Sequence, residues 1–488
     1  MSAQATIANG AWWLSCLPAW WSFRRALAQP HLAQRSILHR LIRRSAETQF
    51  GRHHAFAGIC DYRDFASRVP IRDYAELEPW IDRIRRGENK VLAPDRVIRL
   101  ATTSGTTNAQ KLIPYTTGLQ AEFNRAIGPW MVDLFNSDPR LITGSAYWSI
   151  SPVMKSDTSE ESAVPIGFEQ DSEYLGGIRR RLVDWVMAVP PGVRHATDIE
   201  EFRRSTLAHL QRHRDLRLIS IWHPSFLTLL LAGQSHAPRD LWPRLRLISC
   251  WADGQAALAA RELSQRFTGV RIQPKGLIAT EAIISIPFRR KHPLAITSHF
   301  LEFVDESGKV YLAHELVEGR EYELVVTTGG GLWRYKLNDV IQVNGAIDKT
   351  PSIRFVGKAG NISDLFGEKL SDAFVARVIE RLRIEQHLSG AFAMLAPEQN
   401  AYILYVQGNA GQSIGHHLDQ MLRENLNYAY CRDLGQLAAP RLFKINKDPN
   451  AAIMKRLTAQ GHRLGDIKPV ALSRLDCWHE YFEGTFLT

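Results

Sequence analysis

Residues 216–267 read LRLISIWHPSFLTLLLAGQSHAPRDLWPRLRLISCWADGQAALAARELSQRF. The stretch opens with a short apolar run, Leu216 to Trp222. It is too brief for a helix and suits a buried strand. His223-Pro224 breaks the run, and SFLTLLLAG then has the character of a helix. A second run, Leu245 to Trp251, follows the same course: it ends in Ala252-Asp253-Gly254, a turn signal, and AALAARELSQRF reads as a helix. VRIQPKGLIATEA (270–282) leads to a further strand and loop. Upstream, SAYWSIS (145–151) is another strand, and helical stretches fall around 176–190 and 199–213. This alternation over residues 100–290 predicts α/β subdomains with largely parallel sheets.

Its upstream edge is VIRLATTSGTTNAQKLIPY (97–115). VIRLATT is apolar and β-branched, so the loop after it leaves a strand. From Thr102 to Thr107 there are five hydroxyl residues and one glycine, and Lys111 stands four residues further on. Small residues let backbone N–H groups approach an anion, hydroxyls add donors, and a lysine adds a point charge. The loop therefore suits nucleotide phosphates. It is not a Walker loop: counting from Gly105, Gln110 stands at the second glycine and Leu112 where Ser or Thr would hold Mg²⁺. Alone, it reads equally well as a polar surface turn.

The flanks differ in kind. Residues 22–90 read as helices with short breaks, punctuated by Pro70 and Pro79. Ile37, Leu38, Leu41 and Ile42 form one apolar stripe, with Arg35, Arg40, Arg43 and Arg44 outside it. The first 45 residues hold six arginines and no acid, as a transit peptide does, but the stripe predicts a packed helix instead. AWWLSCLPAWW (11–21) lacks the flanks of a secretory signal. Residues 298–356 carry closely spaced strands with short turns, such as Glu306-Ser307-Gly308, and predict an antiparallel sheet or small barrel. After Gly357-Lys358-Ala359-Gly360 come a helix (SDAFVARVIERLR), a hairpin (AFAMLAPEQNAYILYVQ) and a long helix (HHLDQMLRENLNYAY). The expected organisation is a large N-terminal domain, 1–357, of α/β subdomains plus the antiparallel unit. A smaller mobile α+β domain, 358–488, follows.

At 488 residues, 45% hydrophobic and 23% charged, the chain has the composition of a soluble globular protein. Five widely spaced cysteines with no C-x-x-C favour a reducing cytoplasm over a disulfide framework or zinc ribbon. No run of 18 apolar residues predicts a membrane span. The net charge of +10 is dispersed and lacks aromatic-interleaved basic runs, which favours anionic small ligands over nucleic acid. His209 and His213 are spaced like metal ligands, but Leu210-Gln211-Arg212 between them lacks a general-base glutamate, so they read as a solvated face. No G-x-S-x-G supports serine hydrolase chemistry. The oligomeric expectation is a monomer or weak dimer.

Four constellations occur in order: Thr103 to Lys111; Ala279-Thr280-Glu281; Trp333-Arg334-Tyr335-Lys336-Leu337-Asn338-Asp339-Val340; and Gly357-Lys358 followed by Gly367-Glu368-Lys369-Leu370. In this order and spacing they resemble the adenylate-forming superfamily of firefly luciferase and acyl-CoA ligases. Within it, the chain is similar to the plant auxin-responsive acyl-acid amido synthetases and their bacterial relatives. FGRHHAFAGICDYRDFASRVPIRDY, KLIPYT, SIWHPSFL, SDLFGEKLSD and NLNYAYCRDLGQL extend the likeness over nearly the whole chain.

The resemblance implies ATP and Mg²⁺, a small organic acid activated as its acyl-adenylate, and transfer to an amine, usually of an amino acid. It implies that Ser104, Gly105, Thr106 and Thr107 hold the β- and γ-phosphates, with Lys111 adding charge. Glu281 would coordinate Mg²⁺ and Thr280 touch the phosphate of AMP. Asp339 would accept from the ribose hydroxyls, and Lys358 would sit at the domain hinge. Lys468, in Gly465-Asp466-Ile467-Lys468-Pro469, would reach the α-phosphate and carboxylate oxygens; Lys444, Lys447 and Lys455 compete for that role. The sequence departs from the pattern at four places. Asn108 replaces a glycine, Leu277-Ile278 an aromatic-glycine pair, Asn338 a glycine, and Lys358 an arginine. Transfer to a thiol, and a catalytically silent nucleotide- or acyl-binding relative, stay open as alternatives.

Overall fold

The computed structural model describes residues 3–103, 111–149, 162–168, 174–195, 199–231, 234, 237–253, 256–388, 392–408, 413–460 and 470–487. Ser104, Gly105, Thr106, Thr107, Asn108 and Lys468 lie outside the described residues.

The apolar runs beginning at Leu216 and Leu245 are neighbouring parallel strands. Numbering strands along the chain, β1 is Val97–Thr103, β2 Lys111–Thr116, β3 Ala146–Trp148, β4 Leu218–Ser220, β5 Leu247–Cys250 and β6 Arg271–Pro274. The strands β3-β4-β5-β6 form one parallel sheet in sequence order, with helices Ile199–Arg212, Pro224–Leu230 and Ala256–Arg266 in its connections. The two central strands, β4 and β5, are buried on both sides and largely apolar, as central parallel strands are. Ile219, Ile248 and Cys250 are fully enclosed.

The parallel sheet starts later than the sequence suggests. β1 and β2 pair antiparallel with each other, Thr103 opposite Lys111, and are a sheet of their own. Lys111–Thr116, which the sequence reading leaves without a strand, forms the second strand of that ribbon. Pro114 removes a ladder donor, which argues against a strand in sequence, and a two-stranded ribbon tolerates it because its outer edge needs no partner.

The closely spaced strands of 298–358 do form an antiparallel sheet. β7 (Phe300–Val304), β8 (Val310–Leu312), β9 (Glu321–Thr327), β10 (Tyr335–Ile347) and β11 (Thr350–Lys358) lie in the order β11-β10-β9-β7-β8. Two-residue strands β12 (Ile362–Ser363) and β13 (Leu370–Ser371) follow. β14 (Ala393–Glu398), β15 (Ala401–Gln407), β16 (Arg441–Ile445) and β17 (Gly484–Leu487) then make a mixed sheet, parallel only between β15 and β16. The single long helix expected over His416–Tyr430 is two, Ser413–Leu422 and Leu426–Asp433. Asn425 starts the second as its N-cap, its side chain accepting from the Tyr428 amide at 3.0 Å.

AWWLSCLPAWW belongs to a helix, Ala3–Ala26, whose Ala8, Trp12, Cys16 and Phe23 are buried. It packs on the helix Thr117–Ser137. Gly128 permits the close approach, since a Cβ there would fall 2.9 Å from that of Ala19. The Ile37, Leu38, Leu41 and Ile42 stripe is buried as expected. Among the described residues no helix is long and apolar enough to cross a membrane, and no group of three metal-ligating side chains forms. All five cysteines are free thiols.

Candidate active site

Three hydrogen-bonded segments converge on one acidic and basic cluster. The first is the β1–β2 ribbon. The helix Tyr74–Arg85 is started by an Asp73–Glu76 capping box, which holds Tyr74 in its first turn. The Tyr74 hydroxyl accepts from the Leu112 amide at 2.8 Å, and the Lys111 ammonium stands 5.5 Å from the Tyr74 ring centroid. Lys111 is thereby anchored at the mouth of the hydroxyl-rich loop.

The second segment is a tight hairpin. The Ala279 amide donates to the Ala282 carbonyl and the Ile284 amide to the Leu277 carbonyl, both at 2.9 Å, so Thr280 and Glu281 form the tip. Its base is fixed by the Leu277 amide donating to Ser285 Oγ at 2.9 Å. Gly276 is obligatory there: its φ is +74°, and a Cβ would fall 2.7 Å from the Ser285 carbonyl oxygen. Leu277, where the pattern has an aromatic residue, points into the core at 4% exposure.

The third is the start of β10. Arg334 and Asn338 both have left-handed backbone, with φ of 49° and 59°. Arg334 is held by buried Glu302, with Nε 3.0 Å from both carboxylate oxygens and Nη2 2.8 Å from Oε1. Its Nη1 donates to the Val69 carbonyl at 2.8 Å. Asn338 lies in a bulge: Lys336 pairs with Val325 and Val340 with Glu323, so residues 337–339 stand opposite Leu324 alone. Asparagine tolerates this conformation better than other residues with a Cβ. Asn338→Val is expected to lower the unfolding free energy by about 1–2 kcal/mol. Asn338→Gly is expected to stay within about 0.5 kcal/mol of wild type. Urea titration of the two variants reads the difference, and equal stabilities would remove the backbone argument.

The bulge turns Asp339 inward. It is 3% exposed, lies opposite Lys358 across β10–β11, and its carboxylate is ion-paired with the Lys358 ammonium. Burial pulls the Lys358 ammonium down, but Asp339, Glu281 and Asp372 outweigh it and hold it above the ordinary lysine range. Glu281 shows the converse. Burial, with Asp339 adding to it, pushes its carboxyl above the usual carboxylate range, against the pull of Lys358 and Lys111. Lys111, Glu281, Asp339 and Lys358, read from separate motifs, thus share one electrostatic neighbourhood.

Three members of this neighbourhood escaped the sequence reading. Tyr74 and Tyr335 both have hydroxyls pushed upward by burial, and Glu281 and Asp339 act further on Tyr335. Tyr335 sits inside WRYKLND, a motif whose reading gives the tyrosine itself no role. Asp372, in the first turn of the helix Asp372–Glu385, accepts from the Lys358 amide at 3.2 Å and from the Leu472 amide at 2.8 Å. It ties the end of β11 to the chain four residues beyond Lys468. Glu368, from the fourth constellation, is a loop clamp: it accepts from the Leu365 and Phe366 amides at 2.7 and 2.8 Å and from the Tyr402 hydroxyl. His209 and His213 join no cluster of three metal-ligating groups among the described residues.

The cluster can hold a polyanion and a divalent cation. A desolvated carboxylate whose proton is held too tightly gains from a cation beside it, and hard oxygens suit Mg²⁺. Lys111 and Lys358 offset phosphate charge, and the Asp339 carboxylate can accept from hydroxyls.

Residues 21–237 match the GH3 family N-terminal domain, and residues 292–358 match the GH3 family central domain. Indole-3-acetic acid-amido synthetase GH3.8 of Oryza sativa subsp. indica is 23% identical over 465 residues, covering 79% of this chain and 74% of that protein. The structure of an acyl acid amido synthetase, AtGH3.15, in complex with 2,4-DB has a TM-score of 0.79 at 16% identity, covering 97% of both chains. A 2-hydroxyisobutyryl-CoA ligase in its postadenylation state with R3-HIB-AMP has a TM-score of 0.57 at 12% identity, covering 94% of this chain and 92% of that one. At such identities the structural likeness is one of fold.

Proposed function

Because this chain belongs to the GH3 family, whose N-terminal and central domains together span more than half of it, we propose an ATP- and Mg²⁺-dependent ligase that joins a small carboxylic acid to an amine, most readily that of an amino acid. The observation that carries this reading is the convergence of Lys111, Glu281, Asp339 and Lys358. A carboxylate oxygen of the acid attacks the α-phosphorus of ATP, and the bond to pyrophosphate breaks. The amine nitrogen then attacks the acyl carbon, the bond to AMP breaks, and the nitrogen loses its proton. A carboxylate is a poor electrophile because its oxygen leaves badly, whereas AMP leaves well. The protein's task is to gather charges of one sign and neutralise those that develop.

Each residue has a part. Glu281 would hold Mg²⁺, which neutralises phosphate charge when bound. Thr280, beside it at the hairpin tip, would touch the AMP phosphate. Lys111, with Ser104, Gly105, Thr106 and Thr107, retains pyrophosphate oxygens. Asp339 takes the ribose hydroxyls on lone pairs that Lys358 leaves open. We place the boundary of the C-terminal unit at Lys358, and Lys468 as the lysine that meets the α-phosphate. The Asp372 link between Lys358 and Leu472 supports that placement, since it brings the chain next to Lys468 close to the end of β11. The reading implies an enzyme acting in the cytoplasm on free small molecules, with no role for nucleic acid or membrane.

Pyrophosphate release with a panel of aromatic and aliphatic acids, with and without amino acids, CoA or hydroxylamine, tests this. Acid-dependent release and an amide product are expected. Thioester in place of amide would move the acceptor to a thiol. No ATP turnover with any acid, beside clean nucleotide binding, would leave a silent relative. With pyrophosphate release read from ATP and AMP release read from preformed acyl-adenylate, Lys468→Ala is expected to slow adenylation about tenfold more than amine attack; equal slowing would reassign that lysine.

A further inference from the structure

Glu122 and His299 are 177 residues apart in sequence and buried side by side, 2% and 0% exposed. His299 Nδ1 lies 2.9 Å from Glu122 Oε2, and its Nε2 lies 3.1 Å from the Ile283 backbone nitrogen. A backbone N–H only donates, so Nε2 accepts and the ring proton sits on Nδ1, donating to Glu122. The same Glu122 oxygen accepts from the Gly329 amide at 2.8 Å.

Each bond reaches a segment of the site. In the 277–284 hairpin the Ala279 and Ile284 amides make the pairing bonds, so the Ile283 N–H faces outward to the imidazole, two residues from Glu281. Gly329 stands in the turn that leads into Arg334 and Asp339. Glu122 itself lies on the helix Thr117–Ser137, which begins where the strand of Lys111 ends. Thr116 joins that point to the same turn by donating to the Gly329 carbonyl at 2.8 Å.

We propose that His299 and Glu122 are positioning residues for adenylation: the neutral imidazole, protonated at Nδ1, sets the Thr280–Glu281 tip against Asp339 and Lys111. The proposal rests on the ligase reading of those residues. A buried amide that loses its acceptor is costly to leave unpaired, so the hairpin moves when the acceptor goes. The effect should fall on Mg·ATP and spare the acid.

Two variants separate the ring's two nitrogens. His299→Gln can place its Oε1 near the Nε2 position and take the Ile283 N–H. His299→Asn reaches only the Nδ1 position, keeping a bond to Glu122 and losing the one to Ile283. Hydrogen exchange of peptides spanning 277–285, without substrates, is expected to speed up about tenfold in His299→Asn and to stay near wild type in His299→Gln. KM for Mg·ATP is expected to rise about tenfold in His299→Asn, with KM for the acid within about twofold, and to recover in His299→Gln. Equal behaviour of the two variants in exchange, or KM values for acid and ATP that rise together, would overturn the proposal and leave His299 a core residue. If wild type turns over no ATP, the ligase reading fails, while the exchange contrast still decides whether His299 holds the tip.

Discussion

Glu281→Gln is expected to lower acid-dependent pyrophosphate release by roughly a thousandfold and, in the same molecule, to raise the thermal stability of the ligand-free protein. The two effects share one cause. Burial raises the Glu281 carboxyl, and neighbouring Asp339 adds to it. A carboxyl raised above its unfolded value is harder to ionise in the folded chain than in the unfolded one. The penalty is absent below the unfolded carboxylate range, grows as pH rises through it, and is complete above the folded value. Glutamine removes the penalty. The melting temperature of Glu281→Gln minus that of wild type should therefore be positive at pH 8 and shrink as pH falls toward 5. Addition of ATP with Mg²⁺ should reverse the ranking, since the wild-type carboxylate then gains its cation and the variant does not. Scanning calorimetry at three pH values, with and without Mg·ATP, reads all of this. A variant that is less stable than wild type at pH 8, or that keeps wild-type turnover, would remove Glu281 from the metal site.

The path from sequence to this carboxylate was uneven, for physical reasons. Period and length sufficed for the parallel strands because burial on both faces leaves little but aliphatic residues in Leu247–Cys250 and Leu218–Ser220. They failed at Lys111–Thr116, where Pro114 disguises a strand. They failed again at Asn425, where apolar spacing continues through a break that only the cap marks. Motif order brought Lys111, Glu281, Asp339 and Lys358 into one reading. Asn338 stands where the resembled pattern has a glycine, and its left-handed backbone fits that substitution, since asparagine tolerates that backbone and few residues with a Cβ do. Tyr335 and Asp372 stayed hidden because a buried tyrosine and a helix-start aspartate have ordinary structural uses. Glu122 and His299 were hidden more deeply. Their meaning lies in a contact across 177 residues, and neither has a local pattern to betray it.

Asp339→Ala carries the second large expectation: a rise of about a hundredfold in KM for ATP, with KM for the acid nearly unchanged. Hydrogen bonds from neutral donors to a charged acceptor contribute about 1.5–3 kcal/mol each, and two ribose hydroxyls would lose them together. Fold stability should fall far less. The Lys358 side chain is 38% exposed, so solvent screens its pairing with Asp339, and the loss should be about 1 kcal/mol or below. Lys358 also keeps Glu281 and Asp372 nearby. KM alone could move through a displaced Lys358, so the ribose itself must be varied. Wild type should discriminate strongly between ATP and 2′,3′-dideoxy-ATP, and Asp339→Ala should treat them nearly alike. Asp339→Asn, which keeps one acceptor oxygen and loses the charge, should fall between. If Asp339→Ala still prefers ATP as wild type does, the carboxylate serves Lys358 and not the ribose. The hydroxyls would then have to be read elsewhere, and the ion pair would be a structural link between β10 and β11. If the preference disappears, the same ion pair has a functional reading: Lys358 holds the Asp339 carboxylate aimed while its other oxygen waits for the sugar.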